Sequence, residues 1–508
     1  MAARCAAAPC TQKDFAQCVH TTNTAVTGKM SRLITIALTL TVLGLLGYSS
    51  FNHLSQVSVP EHQSTDALHF LYGSIGSDTT DDGSLGLPYW IWRAMPEVCP
   101  DRLPGGYASL GLIYQTGMDR PIGFSKRDVG LFDMVGLNCA VCHTASVRAA
   151  PGEPAQFYPG STSHQLDLWR YFDFLFSCAQ DERFNVDNVI EKIDRISNNA
   201  LTLFERFAYR QAIDLAKQTF SERAPLLAWV YERPAWGPGR VDTFNPYKTL
   251  LGFKTDMSND HSIGTADFMT IWNQHAKDGL HVHWDGNNAS VDERNISASL
   301  GAGATPHSLD YDGLDRIRRW ITTLKPQSYP FTIDYAKAQQ GKHVYEQHCH
   351  DCHEPDAKYI GHVVPNHLLG TDPERANAFD QEMAGYMNRI GHKEALPWAF
   401  NGFRMTNGYV NGVLDGVWLR APYLHNGSVP TLRDLLSPVE QRPLAFYKGN
   451  DVYDPINVGY VSDQARNEQR EFFRFDTRLR GNGNSGHLYG TRLSTADKDA
   501  LIEYLKTK

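Results

Sequence analysis

Two five-residue motifs constrain this chain more than anything else in it: Cys139-Ala140-Val141-Cys142-His143 and Cys349-His350-Asp351-Cys352-His353. Two thiols one helical turn apart can each form a thioether to a haem vinyl group, and the adjoining histidine then lies under the ring as proximal iron ligand. Zinc competes for the same residue types. Zinc ribbons, however, set their second Cys pair about 15–20 residues downstream. Here most of the chain separates the pairs, and each brings its own histidine. The motifs therefore predict two covalent c-type haems on Cys139, Cys142, Cys349 and Cys352, with His143 and His353 as proximal ligands.

The 508 residues suffice for two or three domains with real cores. A net charge of −8 argues against a nucleic-acid partner. Residues 33–47 are an uncharged apolar run behind Lys29 and Arg32, the profile of an export signal. Continued to Phe51, the run approaches the roughly 20 residues that span a bilayer. Residues 30–51 thus read as a signal peptide or membrane anchor, and the predicted location is periplasmic or secreted, tethered to the inner membrane if the segment is retained. Residues 1–29 read as an extension without a fold ahead of a native start at Met30. Cys5, Cys10 and Cys18 lie there, four thiols go to haem, and Cys99 and Cys178 remain, either paired or separately buried.

Past a polar linker, residues 60–330 are expected to form a first haem domain and 331–508 a second. The predicted class is mainly α: two cytochrome c-like haem domains with long loops and family-specific insertions. Residues 172–176 and 189–229 carry apolar residues at helical spacing. The Gly/Pro-rich stretches 83–88, 151–159 and 234–239 read as loops, and no section looks rich in strands. Leu314, Ile317, Trp320, Ile321 and Leu324 make one apolar helical face, echoed at the C-terminus by Leu501, Tyr504 and Leu505 behind a Ser494/Asp497 capping pair. Between them, His283-Trp284-Asp285-Gly286-Asn287 and Ser290 to Glu293 match Leu424-His425-Asn426-Gly427-Ser428 and Thr431 to Asp434. Motif, turn and terminal helix recur in one order, as two degenerate copies of a unit would.

The sixth position on each iron decides between electron storage and catalysis. His487 is the candidate for the second haem, on the Gly-rich segment Gly481-Asn482-Gly483-Asn484-Ser485-Gly486, read as a pliable loop. That segment matches G-x-G-x-x-G, but no apolar strand precedes it and no acidic ribose ligand follows, which excludes a dinucleotide site. His425 is the rival ligand, better suited to a pocket wall. For the first haem, His307 and His164 suit a solvent or pocket role better than ligation, so an open or weakly closed first iron is expected. Trp284 is singled out as an indole that could shorten an electron path between the haems; a buried Trp is otherwise ordinary core.

Both Cys-x-x-Cys-His motifs, the Trp284-Asp285-Gly286 turn, residues 421–432 and Gly486-His487-Leu488-Tyr489-Gly490 together resemble the di-haem cytochrome c peroxidase superfamily. That superfamily also includes the di-haem maturation enzyme of methylamine dehydrogenase. Gly237-Pro238-Gly239-Arg240-Val241-Asp242 and residues 72–92 are similar to its rubber (latex) oxygenase-like branch. The resemblance implies a catalytic first haem facing O2 or peroxide, a low-spin electron-transfer second haem with His487 distal, and Trp284 between them. It also brings calcium as a candidate cofactor and a small cytochrome or cupredoxin as redox partner. Two departures stand out. Peroxidase members carry an acid about twenty residues past the tryptophan, where this chain has Gly301 to Pro306. Latex-cleaving members place an aromatic where it has Ala298-Ser299-Leu300. The reading is an exported di-haem oxidoreductase; the alternative is a non-catalytic electron-transfer cytochrome. A membrane contact is expected only through the N-terminal segment.

Overall fold

The computed structural model describes residues 65–508 apart from Asp82, Leu131, Thr255, 393–395 and Gln469. The proposed extension and the signal or anchor segment lie outside these residues. Among the described residues, no helix is long and apolar enough to cross a membrane. The described residues all belong to one compact unit.

Its frame is a pair of helix crossings. The helix Asp66–Tyr72, capped by the Thr65 hydroxyl on the Leu68 N–H, buries Phe70, Leu71 and Tyr72. It packs on the helix Tyr311–Thr323, where Ile317 and Ile321 are buried and the Phe70 and Trp320 rings lie 4.7 Å apart. The second crossing sets Tyr335–His348 against Thr495–Leu505, with Tyr345 and Tyr504 rings 5.1 Å apart. Gly341 makes that approach feasible, since a Cβ there would stand 1.9 Å from the Ala500 carbonyl oxygen. Ser494 caps the last helix by accepting from the Asp497 N–H. The Tyr335–His348 helix runs straight into Cys349, whereas the chain leaves the Asp66–Tyr72 helix on a long excursion before reaching Cys139.

Strands spread along the chain correct the mainly-α expectation. The described residues hold thirteen short strands in six small sheets, with helix at 38% and strand at 12%. The largest sheet orders Leu87–Pro88, Asp133–Leu137 and Phe124–Asp128 antiparallel. It includes the end of a stretch read as loop, and so does Gln156–Pro159, which pairs with Thr144–Val147. Strands of two to five residues give period-2 patterning too little length to register. The helical stretch read over 189–229 is also two helices, Val186–Ile196 and Leu203–Leu227, followed by a 3-10 turn. Asn198 and Asn199 take left-handed φ angles of 54° and 57°, and Thr202 with Glu205 forms a capping box that restarts the helix. Cys99 and Cys178 are joined by a disulfide, tying Tyr89–Val98 to Leu168–Ala179 within the first core.

The two turns matched in sequence share one geometry. Val282 bridges Asn288, and Tyr423 bridges Val429. Each turn has left-handed residues at corresponding places, His283 (φ 63°) and Gly286 (φ 68°) in one, Leu424 (φ 69°) and Gly427 (φ 59°) in the other. Each also leads into a helix capped by a hydroxyl, Ser290 on the Glu293 N–H and Thr431 on the Asp434 N–H.

Candidate functional site

The first motif is held by the sheet that precedes it. Strand Asp133–Leu137 ends at Asn138, whose side-chain oxygen caps the Ala140 N–H at 2.9 Å while its amide donates to the Gly73 carbonyl at 2.9 Å. Cys139 and Cys142 are free thiols on the resulting helical turn. Burial pushes the Cys139 thiol up to about 11. His143 donates from Nδ1 to the Met269 carbonyl at 2.6 Å; a carbonyl only accepts, so the Nε2 lone pair is left for a metal. Burial lowers its pKa to about 3 and keeps the ring neutral. His353 repeats the arrangement, with Nδ1 donating to the Gly412 carbonyl at 2.7 Å. Cys349 and Cys352 are likewise free.

Each motif opens on a cavity. The first, about 300 Å³, is lined by Cys139, Cys142 and His143. Facing them are apolar side chains from two elements, Tyr247 and Leu250 of one helix and Met383 and Met387 of another. The second cavity, about 440 Å³, is lined by Cys349, Cys352, His353 and His487. The His353 and His487 rings have centroids 6.3 Å apart. At that spacing His353 and His487 would hold one metal ion between their rings, since metal–nitrogen bonds are about 2.0 Å long. Paired free thiols, a neutral imidazole with its lone pair free and this spacing fit a c-type haem.

The segment carrying His487 is anchored, which corrects the reading of it as pliable. Asn426 Nδ2 and the Ser428 hydroxyl both donate to the Gly483 carbonyl at 2.9 Å, so the second turn grips it directly. Arg240 of the Gly-Pro-Gly-Arg stretch donates to Asn482 Oδ1 at 2.9 Å, and the Gly483 N–H donates to Asp372 at 3.0 Å. Buried Arg442 donates to the carbonyls of Asn484 at 2.6 Å and Gly486 at 2.9 Å. Gly486 lies so close to Gly370 that a Cβ would stand 2.3 Å from its carbonyl carbon. His487 itself is left-handed, φ 48°, and burial lowers its pKa to about 4.

Trp284 lines both cavities, and its indole N–H donates to the Asp267 carbonyl at 2.8 Å. Asp267 is a hub that sequence reading missed. Its N–H donates to the His425 carbonyl at 2.8 Å, and its carboxylate pairs with fully buried Lys448 at 3.2 Å. Asp267 thus ties the first turn to the second. His425 lines the second cavity, stacked 3.9 Å from the Tyr409 ring. His164 lines neither cavity, being stacked 3.4 Å from Tyr460, and His307 lines neither. His283, not singled out from sequence, lines both.

Ala298 and Leu300 to Ala304 line the first cavity. A side chain at Gly301 would meet the Tyr247 hydroxyl at 2.5 Å, and one at Gly303 (φ 104°) the Leu85 Cβ at 2.6 Å. Tight packing therefore takes the room that an acidic side chain would need at these two positions. The carboxylates lining this cavity are engaged elsewhere: Asp242 accepts from Phe244, Asn245 and Gly264, and Asp267 pairs with Lys448. Among the described residues, no group of three or more His, Cys, Asp or Glu could hold a metal ion, so no acidic cluster marks a calcium site.

Residues 408–447, which contain the second turn, match the RoxA-like, cytochrome c-like family. One cytochrome c-like match is seen, over this region, which corrects the expectation of two cytochrome c-like domains. The chain is also similar to two proteins of Sinorhizobium fredii (strain NBRC 101917 / NGR234), both named as uncharacterized. It is 32% identical to y4iM over 48% of this chain and 64% of that protein, and 30% identical to y4iJ over 37% and 42%. The chain thus spans less than two thirds of either relative. The matched region gives the chain a coarse similarity to the rubber oxygenase-like cytochromes and implies a c-type haem as cofactor.

Proposed function

We propose that the protein is an exported di-haem c-type oxidoreductase in which the first haem activates O2 or peroxide and the second relays electrons. The asymmetry between the cavities carries this reading. The second cavity sets His487 opposite His353 at 6.3 Å. Among the described residues, no histidine ring is paired with His143 in this way. A haem held by His143 alone would supply chemistry with a small oxidant, whereas one held by both His353 and His487 would supply electron transfer.

The chain's residues have distinct tasks in this scheme. Met269 and Gly412 carbonyls orient the proximal rings. The apolar wall of Tyr247, Leu250, Met383 and Met387 keeps bulk water from the first cavity. Trp284, adjoining both cavities, shortens the electron path between them. With Gly301 and Gly303 packed closed to a carboxylate, acid–base assistance of the peroxidase kind has no residue at that position. This favours activation of O2 with an apolar substrate over peroxide reduction. The Cys99–Cys178 disulfide supports an oxidising compartment, and an acidic chain suits a basic small cytochrome or a cupredoxin as electron partner.

The test is the absorption and electron paramagnetic resonance spectrum of the oxidised protein. The wild type should show one high-spin haem that shifts with cyanide and one low-spin haem. His487→Ala should make the second high-spin as well, with added imidazole restoring it. Two low-spin haems inert to cyanide would turn the protein into an electron carrier.

A further inference from the structure

Three cations line the second cavity: Lys277, Arg294 and Arg420. Arg294 also lines the first. Arg294 sits on the helix Val291–Gly301, and its guanidinium donates to Asn295 Oδ1 over a long 3.4 Å. The acids beside it are engaged elsewhere, Glu293 with Asn288, Asn401 and Gly402, and Asp292 toward Arg318. Arg420 spends its guanidinium on the Val413 and Asp415 carbonyls, leaving Nε buried without a partner. Lys277 donates to the Trp272 carbonyl at 3.1 Å, and burial together with Arg420 lowers its pKa to about 7. One carboxylate, Asp415, lies in range of Lys277 and Arg420, and it already accepts from Asn273 at 2.9 Å. The acids that line this cavity, Glu346 and Asp351, face Lys342 and His350 of their own segment. Half-buried cations at a cavity wall, short of anions, are costly unless a ligand brings the missing charge.

We propose that Lys277, Arg294 and Arg420 bind the carboxylate side chains of the haem groups, and that Arg294, shared by both cavities, couples their reduction potentials. This rests on the reading that each cavity holds a haem. A haem carries two carboxylates, the chemistry that guanidinium and ammonium groups recognise by charge-assisted hydrogen bonds. A cation at these carboxylates offsets negative charge near the iron and so favours the reduced state. Because Arg294 borders both cavities, its charge acts on both irons, whereas Lys277 lines the second alone.

The experiment is a spectroelectrochemical titration of purified holoprotein, with covalent haem per chain counted first. Arg294→Gln should lower both midpoint potentials, by about tenfold in the reduction equilibrium, which is about 59 mV for one electron. Arg294→Lys, which keeps the charge, should stay near wild type. Lys277→Gln, at the wall of the second cavity, gives an independent reading and should lower the second potential alone. Two haems per chain with both potentials unmoved by Arg294→Gln would overturn the proposal, as would Lys277→Gln shifting both haems equally or neither. Fewer than two covalent haems in the wild type would overturn the underlying reading and the proposal with it.

Discussion

Arg442→Met tests whether the His487 segment is held by design or by its glycines. The side chain is 2% exposed. Besides the Asn484 and Gly486 carbonyls it donates to Leu435 at 3.1 Å and to Ser437 at 3.3 Å. Hydrogen bonds from a charged donor are worth about 1.5–3 kcal/mol each, and losses within one network add incompletely, so the variant should lose about 3–5 kcal/mol. Much of that loss falls on Asn484 and Gly486, within the three residues before His487. Asn426, Ser428 and Asp372 still grip Gly483, so the segment should loosen at its far end without detaching. The second haem should then show a high-spin fraction that grows on warming and disappears with added imidazole. Absorption spectra of the oxidised protein across temperature, beside a denaturant titration, would measure both quantities. A variant that loses this stability yet keeps a wild-type low-spin spectrum at every temperature would refute the claim that Arg442 positions His487.

Three further outcomes follow from the same contacts. Lys448→Met removes the one cation paired with buried Asp267, whose carboxyl burial pushes up to about 6 against the pull of Lys448, itself lowered to about 8. A raised carboxyl stabilises the fold at low pH and loses that contribution as pH rises through the folded value. Without Lys448 that value climbs further, so the stability gap between wild type and variant should widen from pH 5 to pH 7.5 and approach about 3–5 kcal/mol; chemical denaturation at the two pH values measures it, and a constant gap would contradict the ion pair. Trp284→Phe, which loses the bond to the Asp267 carbonyl, should slow electron exchange between the haems in stopped-flow reduction while leaving both attached. Gly341→Ala places a methyl group against the Ala500 carbonyl and should cost about 1–3 kcal/mol by thermal unfolding, through separation of two helices that must cross closely.

What could be read without a structure was local or covalent. The expectation of haem attachment rests on five consecutive residues, because thioether chemistry demands two thiols one helical turn apart beside an imidazole. The two turns around Trp284 and His425 were visible as an echo because each needs a left-handed glycine at one place and a hydroxyl cap a few residues on. The Ser494 cap and the apolar face of Tyr311–Thr323 were legible for the same reason, being set within one or two helical turns. The strands were not, since a run such as Leu87–Pro88 is defined only by its partner Met134–Val135. Nor was the pairing of Cys99 with Cys178, which the residues alone left open. Tertiary structure alone decided which polar groups meet. Arg442 reaches a segment some forty residues away, Lys448 reaches Asp267 across much of the chain, and Arg294 comes to lie between two cavities whose motifs flank it far off in sequence. Such contacts join buried charges to partners at large sequence separation. No local period encodes them, and only the packing of the whole chain brings those atoms within reach.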